Sequence, residues 1–450
     1  MTKISRTTDM TQGSEMRHII MFSLPLLAGN LLQQTYNIVD TMVVGRYLGD
    51  DALAAVGATG SITYLFYTLC IGLSVGAGII VAQYFGAGKK KALRSAVFNS
   101  ALVTAIFGIV ISLLSVPAAK PILELLKVPD KLIGDSVAYM QIACGGTIAV
   151  AAYNWINAIM RALGDSKTPL IFLGAASLLN ALLDLLFVVI FKFGIAGAAW
   201  ATVLTQALSA ISCIVYCFAV SREIKLTADD LHADKDMMSR CVKTGVPIAI
   251  QNGLISVSMV ALQRVTNGFG KTVMAAYTVS MRIEQFVQQP FSSLNAAVST
   301  FTGQNIGAGK EKRAQKGLAC AIKISVIFSA VVLVLFMLFG GAITSWFVKG
   351  KTVISISAKA LIITSLFYWS LGIIHTTRGF LNGAGDTNYA LVNGMAEVIC
   401  RIGLSPILTR IAFISYWGIW YTTAATWFVT AMVSLIRYKG GKWRLHAIVK

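Results

Sequence analysis

Twelve apolar runs, each long enough to cross a bilayer as a helix, leave this chain few choices of fold. They lie near residues 19–45, 53–82, 93–117, 132–157, 167–191, 195–220, 241–266, 273–303, 316–340, 354–378, 388–412 and 415–437. A hydrocarbon core of ~30 Å needs about 20 apolar residues at a rise of ~1.5 Å each. Lipid offers the backbone no hydrogen bonds, so only helices and closed barrels can span it. Runs of this length predict an all-α polytopic membrane protein with twelve transmembrane helices. Composition agrees, with 56 % hydrophobic and 13 % charged residues and a mean hydropathy of +0.72, outside the range of soluble domains.

A net charge of +19 would suit a nucleic-acid partner. Here, however, the basic residues sit in short loops between apolar runs and form no face that could follow a phosphate backbone. With an even number of spans both termini share one side. Lys and Arg on that side total roughly 24, against about 11 on the other, which predicts cytoplasmic termini in a plasma (inner) membrane. Residues 1–18, with Lys3, Arg6 and Arg17, are polar and lack the pattern of a removable signal. The seven cysteines are scattered. Cys213 and Cys217 are one turn apart but have no nearby His or carboxylate, so they are expected as small apolar filler.

The chain repeats itself. Residues 82–92, AQYFGAGKKKA, recur 221 positions later as GQNIGAGKEKR at 303–313. At the same offset Asp51-Ala52-Leu53-Ala54-Ala55 meets Thr272-Val273-Met274-Ala275-Ala276, Gly164-Asp165 meets Gly385-Asp386, and Gly197 meets Gly418; Pro25 meets Pro247 one residue off. The expected organisation is two homologous six-helix lobes, 19–221 and 241–437. A charged inter-lobe loop at 222–240 joins them, and a basic tail follows at 438–450. Six spans per repeat give both lobes the same orientation, related by an axis along the membrane normal.

Polar residues inside the spans are costly and point to function. Span 1 carries Asn30, Gln33, Asn37 and Asp40 as a stripe at i, i+3, i+7 and i+10, widened by Gln34 and Thr41, and Pro25 predicts a kink in the same helix. The N-terminal half adds Asn180 and Asp184 at i, i+4, Thr202 and Gln206 at i, i+4, and Asn154, Asn157 and Tyr139 in span 4. Two carboxylates with amide and hydroxyl oxygens suit a proton or a small hard cation such as Na⁺. In the other half Glu284, Gln288, Ser292 and Asn295 line one face of span 8, beside Arg282 and Pro290. Glu397 and Arg401, at i, i+4, are expected to neutralise each other, and the lone His375 to be a satisfied hydrogen-bonding histidine.

Two patterns imitate enzyme motifs. The GAGKKK and GAGKEK loops lack GxxxxGK[ST] and are read as tight turns. Gly72-Leu73-Ser74-Val75-Gly76 fits GxSxG but lies mid-span, where the same five residues form a GxxxG helix-packing motif. The chain is not expected to be an enzyme and requires no cofactor.

The combination of Pro25 and Asp40 in span 1, the repeated Q-x-x-G-A-G-K turns, Arg282-Ile283-Glu284 and the Gly-Asp turns after spans 4 and 10 resembles the multidrug and toxic compound extrusion (MATE) family along the whole chain. That resemblance implies twelve helices in two lobes and a monomer. It also implies export of organic cations and drugs in exchange for H⁺ or Na⁺, with a cation site of Asp40, Asn180, Asp184 and Thr202 like that of the prokaryotic DNA-damage-inducible subgroup. The sodium-coupled subgroup has acidic residues in spans 7 and 10. This chain has Gln251, Asn252, Ser256 and Ser258 in span 7 and no carboxylate in span 10, so coupling is expected to rest on the N-lobe.

The working expectation is alternating access about Pro25. Gln33, Gln34, Asn37, Tyr139, Asn154, Asn157, Gln206, Glu284, Gln288 and Asn295 would contribute to a substrate cleft together with aromatics and Met. The alternatives are a lipid-linked oligosaccharide or lipid flippase of the same superfamily, which would need basic residues in the cleft, and more remotely a non-transporting membrane sensor.

Overall fold

The computed structural model describes residues 7–449, apart from the side chains of Ser61, Arg222 and Asp229; Lys3, Arg6 and Lys450 lie outside the described residues. The apolar runs become helices. In chain order they are α1 (Glu15–Leu48), α2 (Asp50–Gly86), α3 (Lys90–Leu125), α4 (Asp130–Gly145), α5 (Thr147–Ala162), α6 (Lys167–Asp184) and α7 (Gly194–Val220). There follow α8 (Lys235–Asn267), α9 (Lys271–Gly307), α10 (Glu311–Ser345), α11 (Lys351–Ser365), α12 (Tyr368–Gly383), α13 (Asn388–Arg410) and α14 (Gly418–Lys439).

These helices make twelve spans. Eight are long and apolar enough singly, and two more are bent pairs: α4 with α5 at 42° and α11 with α12 at 51°. The remaining two, α1 and α9, have the length but carry the polar stripes of Asp40 and Glu284. The bends in spans 4 and 10 are absent from the sequence expectation, since neither carries a proline at the break. They fall at Gly146 and Phe367, which are 221 residues apart.

The repeat is therefore structural as well as textual. The turns after α2 and α9 close on left-handed glycines, Gly88 (φ 67°) and Gly309 (φ 70°), and those after α5 and α12 on Gly164 (φ 83°) and Gly385 (φ 93°). A side chain would strain all four. The Ser136 hydroxyl donates to the Ala55 carbonyl at 3.4 Å, and its counterpart Ser357 donates to Ala276 at 3.2 Å. Both GAGK loops are tight turns, as expected.

The chain forms two compact units. Unit 1 comprises Met1–Asp9 and Ala28–Ala249; unit 2 comprises Met10–Leu27 and Ile250–Lys450. They differ from the sequence halves because α1 and α8 each change unit two residues after a proline, Pro25 and Pro247. In unit 1 the GxxxG of α2 packs on the start of α8. A Cβ at Gly72 would stand 2.5 Å from the Ala249 backbone, and one at Gly76 would stand 2.6 Å from Gly245. In unit 2 α12 approaches α9 equally closely, with Gly379 against the Asn295 carbonyl and Gly383 against that of Ser299.

The loops dock by side-chain capping. In unit 2 Met10 N–H donates to Gln304 at 2.9 Å, and Arg313 donates to the Gly13 carbonyl at 2.7 Å. In unit 1 the segment before α8 is held by Asn99, which donates to the His232 carbonyl and accepts from Asp234 N–H at 2.8 Å. A capping box at Thr227 and Asp230 closes this segment's short turn. The amide and hydroxyl of Thr227 hold the Asp230 carboxyl below its ordinary range, and Arg94, 3.6 Å away, adds to this. A depressed acid stabilises the docked loop above its unfolded pKa and ceases to do so as pH falls through its lower folded value. Hydrogen-exchange protection of residues 222–234, relative to the intrinsic rate at each pH, should therefore be high at neutral pH and fall only below about pH 4. In Asp230→Asn it should be low already at pH 7.

Candidate functional site

Within unit 1 α1, α6 and α7 bring the expected acids together. Asp40 lies on α1, and Asp184 is the last residue of α6, fully buried. The two carboxyls are close enough for each to feel the other's charge. Directly after Asp184 the α-helix widens into a π-helical segment, Leu185–Ile190, a departure common at functional sites that re-aims neighbouring side chains. Asn180 is one turn earlier and 1 % exposed. From α7, Thr202 donates to the Ala198 carbonyl at 3.1 Å and accepts from the Tyr36 hydroxyl at 3.5 Å. Tyr36 and Tyr139 flank the acid pair and feel its charge.

The polar atoms here are unsatisfied. Asp40 Oδ1, both carboxylate oxygens of Asp184 and both amide atoms of Asn180 are buried without a hydrogen-bond partner among the described residues. Each such group is expensive in an apolar interior. Two ionised carboxylates this close also repel each other, and a proton or a monovalent cation between them removes the repulsion. The donor set of carboxylate, amide and hydroxyl oxygens suits a hard cation. Tyr36 escaped the sequence reading, although it lies one helical turn before Asp40 and so shares its face.

The remaining polar candidates are more dispersed. Gln33 and Gln34 are half-buried and Asn37 is exposed on α1. Asn154 spends its amide on the Val150 carbonyl, whereas Asn157 Oδ1 and Gln206 Oε1 are buried and unpaired among the described residues. In unit 2 Glu284 is 8 % exposed, near Thr364, Tyr368 and Arg401, and Gln288 and Asn295 are half-buried. Arg282 is exposed.

One expectation is extended and another corrected. Glu397 does pair with Arg401, at 3.9 Å, but Arg378 of α12 is closer, at 2.9 Å, and Arg401 also bonds Ser258 at 2.6 Å. Arg378 stood at the expected edge of span 10; the helix continues to Gly383 and carries it inside. His375 is not a satisfied histidine, because its Nδ1 is buried without a partner among the described residues and its ring stacks on Phe291.

Unit 2 also has an apolar pocket of about 510 Å³, lined by Phe367, Leu408, Phe413, Trp417, Tyr421 and Phe428. No carboxylate lines it. Among the described residues no cluster of His, Cys, Asp and Glu could hold a metal in the manner of a structural site.

Comparison with known proteins agrees with this architecture. The MatE family model matches twice, over residues 25–186 and 247–407, once in each repeat. The chain belongs to the MATE family. It is therefore a multi-pass membrane transporter and not an enzyme. It is 28 % identical over 446 residues to the probable multidrug resistance protein YpnP of Bacillus subtilis (strain 168), covering 97 % of each chain. To the probable multidrug resistance protein NorM of Thermotoga maritima it is 23 % identical, over 96 % of this chain and 94 % of that one. Its fold is also that of a MATE crystal structure in the straight conformation, with a TM-score of 0.91 at 22 % identity, over 99 % of this chain and all of the other.

Proposed function

We propose that this MATE transporter exports organic cations and amphipathic drugs in exchange for H⁺ or Na⁺, from the plasma membrane and with cytoplasmic termini. The observation that carries the reading is the pair of fully buried Asp184 and half-buried Asp40 in unit 1, with buried, unsatisfied carboxylate oxygens beside Asn180 and Thr202. Such a pair takes up one positive charge readily and gives it up when a second cation competes or the pocket rehydrates. The multidrug resistance names of its relatives support the substrate class. Pro25, two residues before α1 changes unit, is the hinge in this reading.

The test is ethidium efflux from proteoliposomes with ΔpH and ΔNa⁺ imposed separately. Efflux driven by one gradient and not by the other identifies the coupling ion. If neither gradient drives ethidium or any other cationic amphiphile, the proposal fails, and lipid translocation becomes the next activity to assay.

A further inference from the structure

The repeat gives the acid cluster of unit 1 a counterpart in unit 2 with its charge reversed. An offset of 221 carries Asn180 to Arg401, Asp184 to Ser405 and Thr202 to Thr423. The one-residue shift that aligns Pro25 with Pro247 carries Tyr36 to Ser258 and Asp40 to Leu262. Both acids are gone, and a guanidinium stands where unit 1 has an amide.

Arg401 is fully buried. Its Nη1 donates to the Ser258 hydroxyl at 2.6 Å and lies 3.9 Å from Glu397, whose other oxygen is engaged by Arg378. Its Nε and Nη2 have no partner among the described residues. These two nitrogens form one edge of the guanidinium, the fork that binds an oxyanion through two parallel hydrogen bonds. The surroundings are rich in donors. Asn393 donates to Ser434, and Gly418 packs on Leu408, which fixes the α13–α14 register and sets Ser405, Arg401 and Glu397 level with Thr422, Thr426 and Thr430. All three threonine hydroxyls are buried and unpaired among the described residues. Glu284, the other carboxylate of this region, feels the charge of Arg401 but forms no ion pair with it among the described residues.

We infer that Arg401 is the centre of an anion site inside unit 2, held in position by Ser258, which takes a small monovalent anion on its Nε–Nη2 edge. The ligand is either free chloride or the carboxylate of a larger molecule.

The test is equilibrium binding of radioactive chloride to the purified full chain in a zwitterionic buffer that contains no carboxylate. No gradient is involved, so the result is independent of the transport reading. Wild type should bind saturably at one chloride per chain, and Arg401→Gln should not bind. Ser258→Ala, a small change that frees the guanidinium to rotate, should weaken binding about tenfold, the worth of one hydrogen bond to a charged group. This second variant decides the matter if Arg401→Gln does not fold. Displacement of chloride by acetate assigns the site to carboxylates as well, and failure to displace assigns it to the free halide. No saturable binding in wild type, or binding unchanged in Ser258→Ala, overturns the inference.

Discussion

Asp40→Asn is expected to abolish concentrative efflux while leaving the protein folded. The substitution keeps size and shape but removes one of the two facing carboxylates, so the pocket no longer gains by taking up a cation. Exchanging one monovalent cation for another moves no net charge, so the coupling ion's concentration gradient alone supplies the drive. At ~1.4 kcal/mol per tenfold, a roughly hundredfold ion gradient holds about 2.8 kcal/mol and sustains an equal substrate gradient. The variant should lose all of it and relax to equal concentrations on the two sides. Asp184→Asn should behave alike, because the acids act as a pair. Ethidium accumulation in proteoliposomes reads the gradient, and thermal unfolding of purified protein shows that the fold is intact. If Asp40→Asn still maintains a gradient, coupling does not run through this pair.

The architecture was largely legible in the sequence because lipid imposes a simple rule: a spanning segment must be long, apolar and helical. Repeated turns that need glycine at a left-handed position, such as Gly88 and Gly309, also leave a residue-level trace. The bend at Gly146 left only the Gly145-Gly146 pair, and the bend at Phe367 left no trace, since neither proline nor glycine marks it. The same holds for the π-helical turn after Asp184, whose sequence, LLFVVI, reads as an ordinary apolar run. At the candidate site, Asp40, Asn180, Asp184 and Thr202 stood out because polar groups are rare within spans. Tyr36 did not, because a tyrosine is unremarkable in an apolar helix. Spacing along one helix found the Arg401–Glu397 pair, but the closer partner Arg378 was missed, because nothing local reports a residue arriving from the neighbouring helix.

Gly76→Leu should prevent accumulation of folded protein, with an effect on stability larger than that of any substitution at the acid pair. In a bilayer, helices are not driven together by water, so close backbone packing has to supply the association. Gly76 does so against Gly245, where even a Cβ would meet backbone atoms at 2.6 Å, and one turn away Gly72 meets Ala249 at 2.5 Å. Neither neighbour has a flexible side chain that could move aside, so the helices must separate. Overpacking costs typically ~1–3 kcal/mol where side chains can adjust. Here the backbone itself must shift, and the cost should exceed that range. It would fall on the start of α8, the segment that the sequence half assigns to one repeat and the fold assigns to unit 1. Gly57→Leu, at a position where a Cβ meets nothing within 4 Å, is the control and should express normally. Comparing the folded yields of the two variants in detergent separates helix packing from a general intolerance of bulk. Equal yields would show that the α2–α8 contact contributes little to holding unit 1 together.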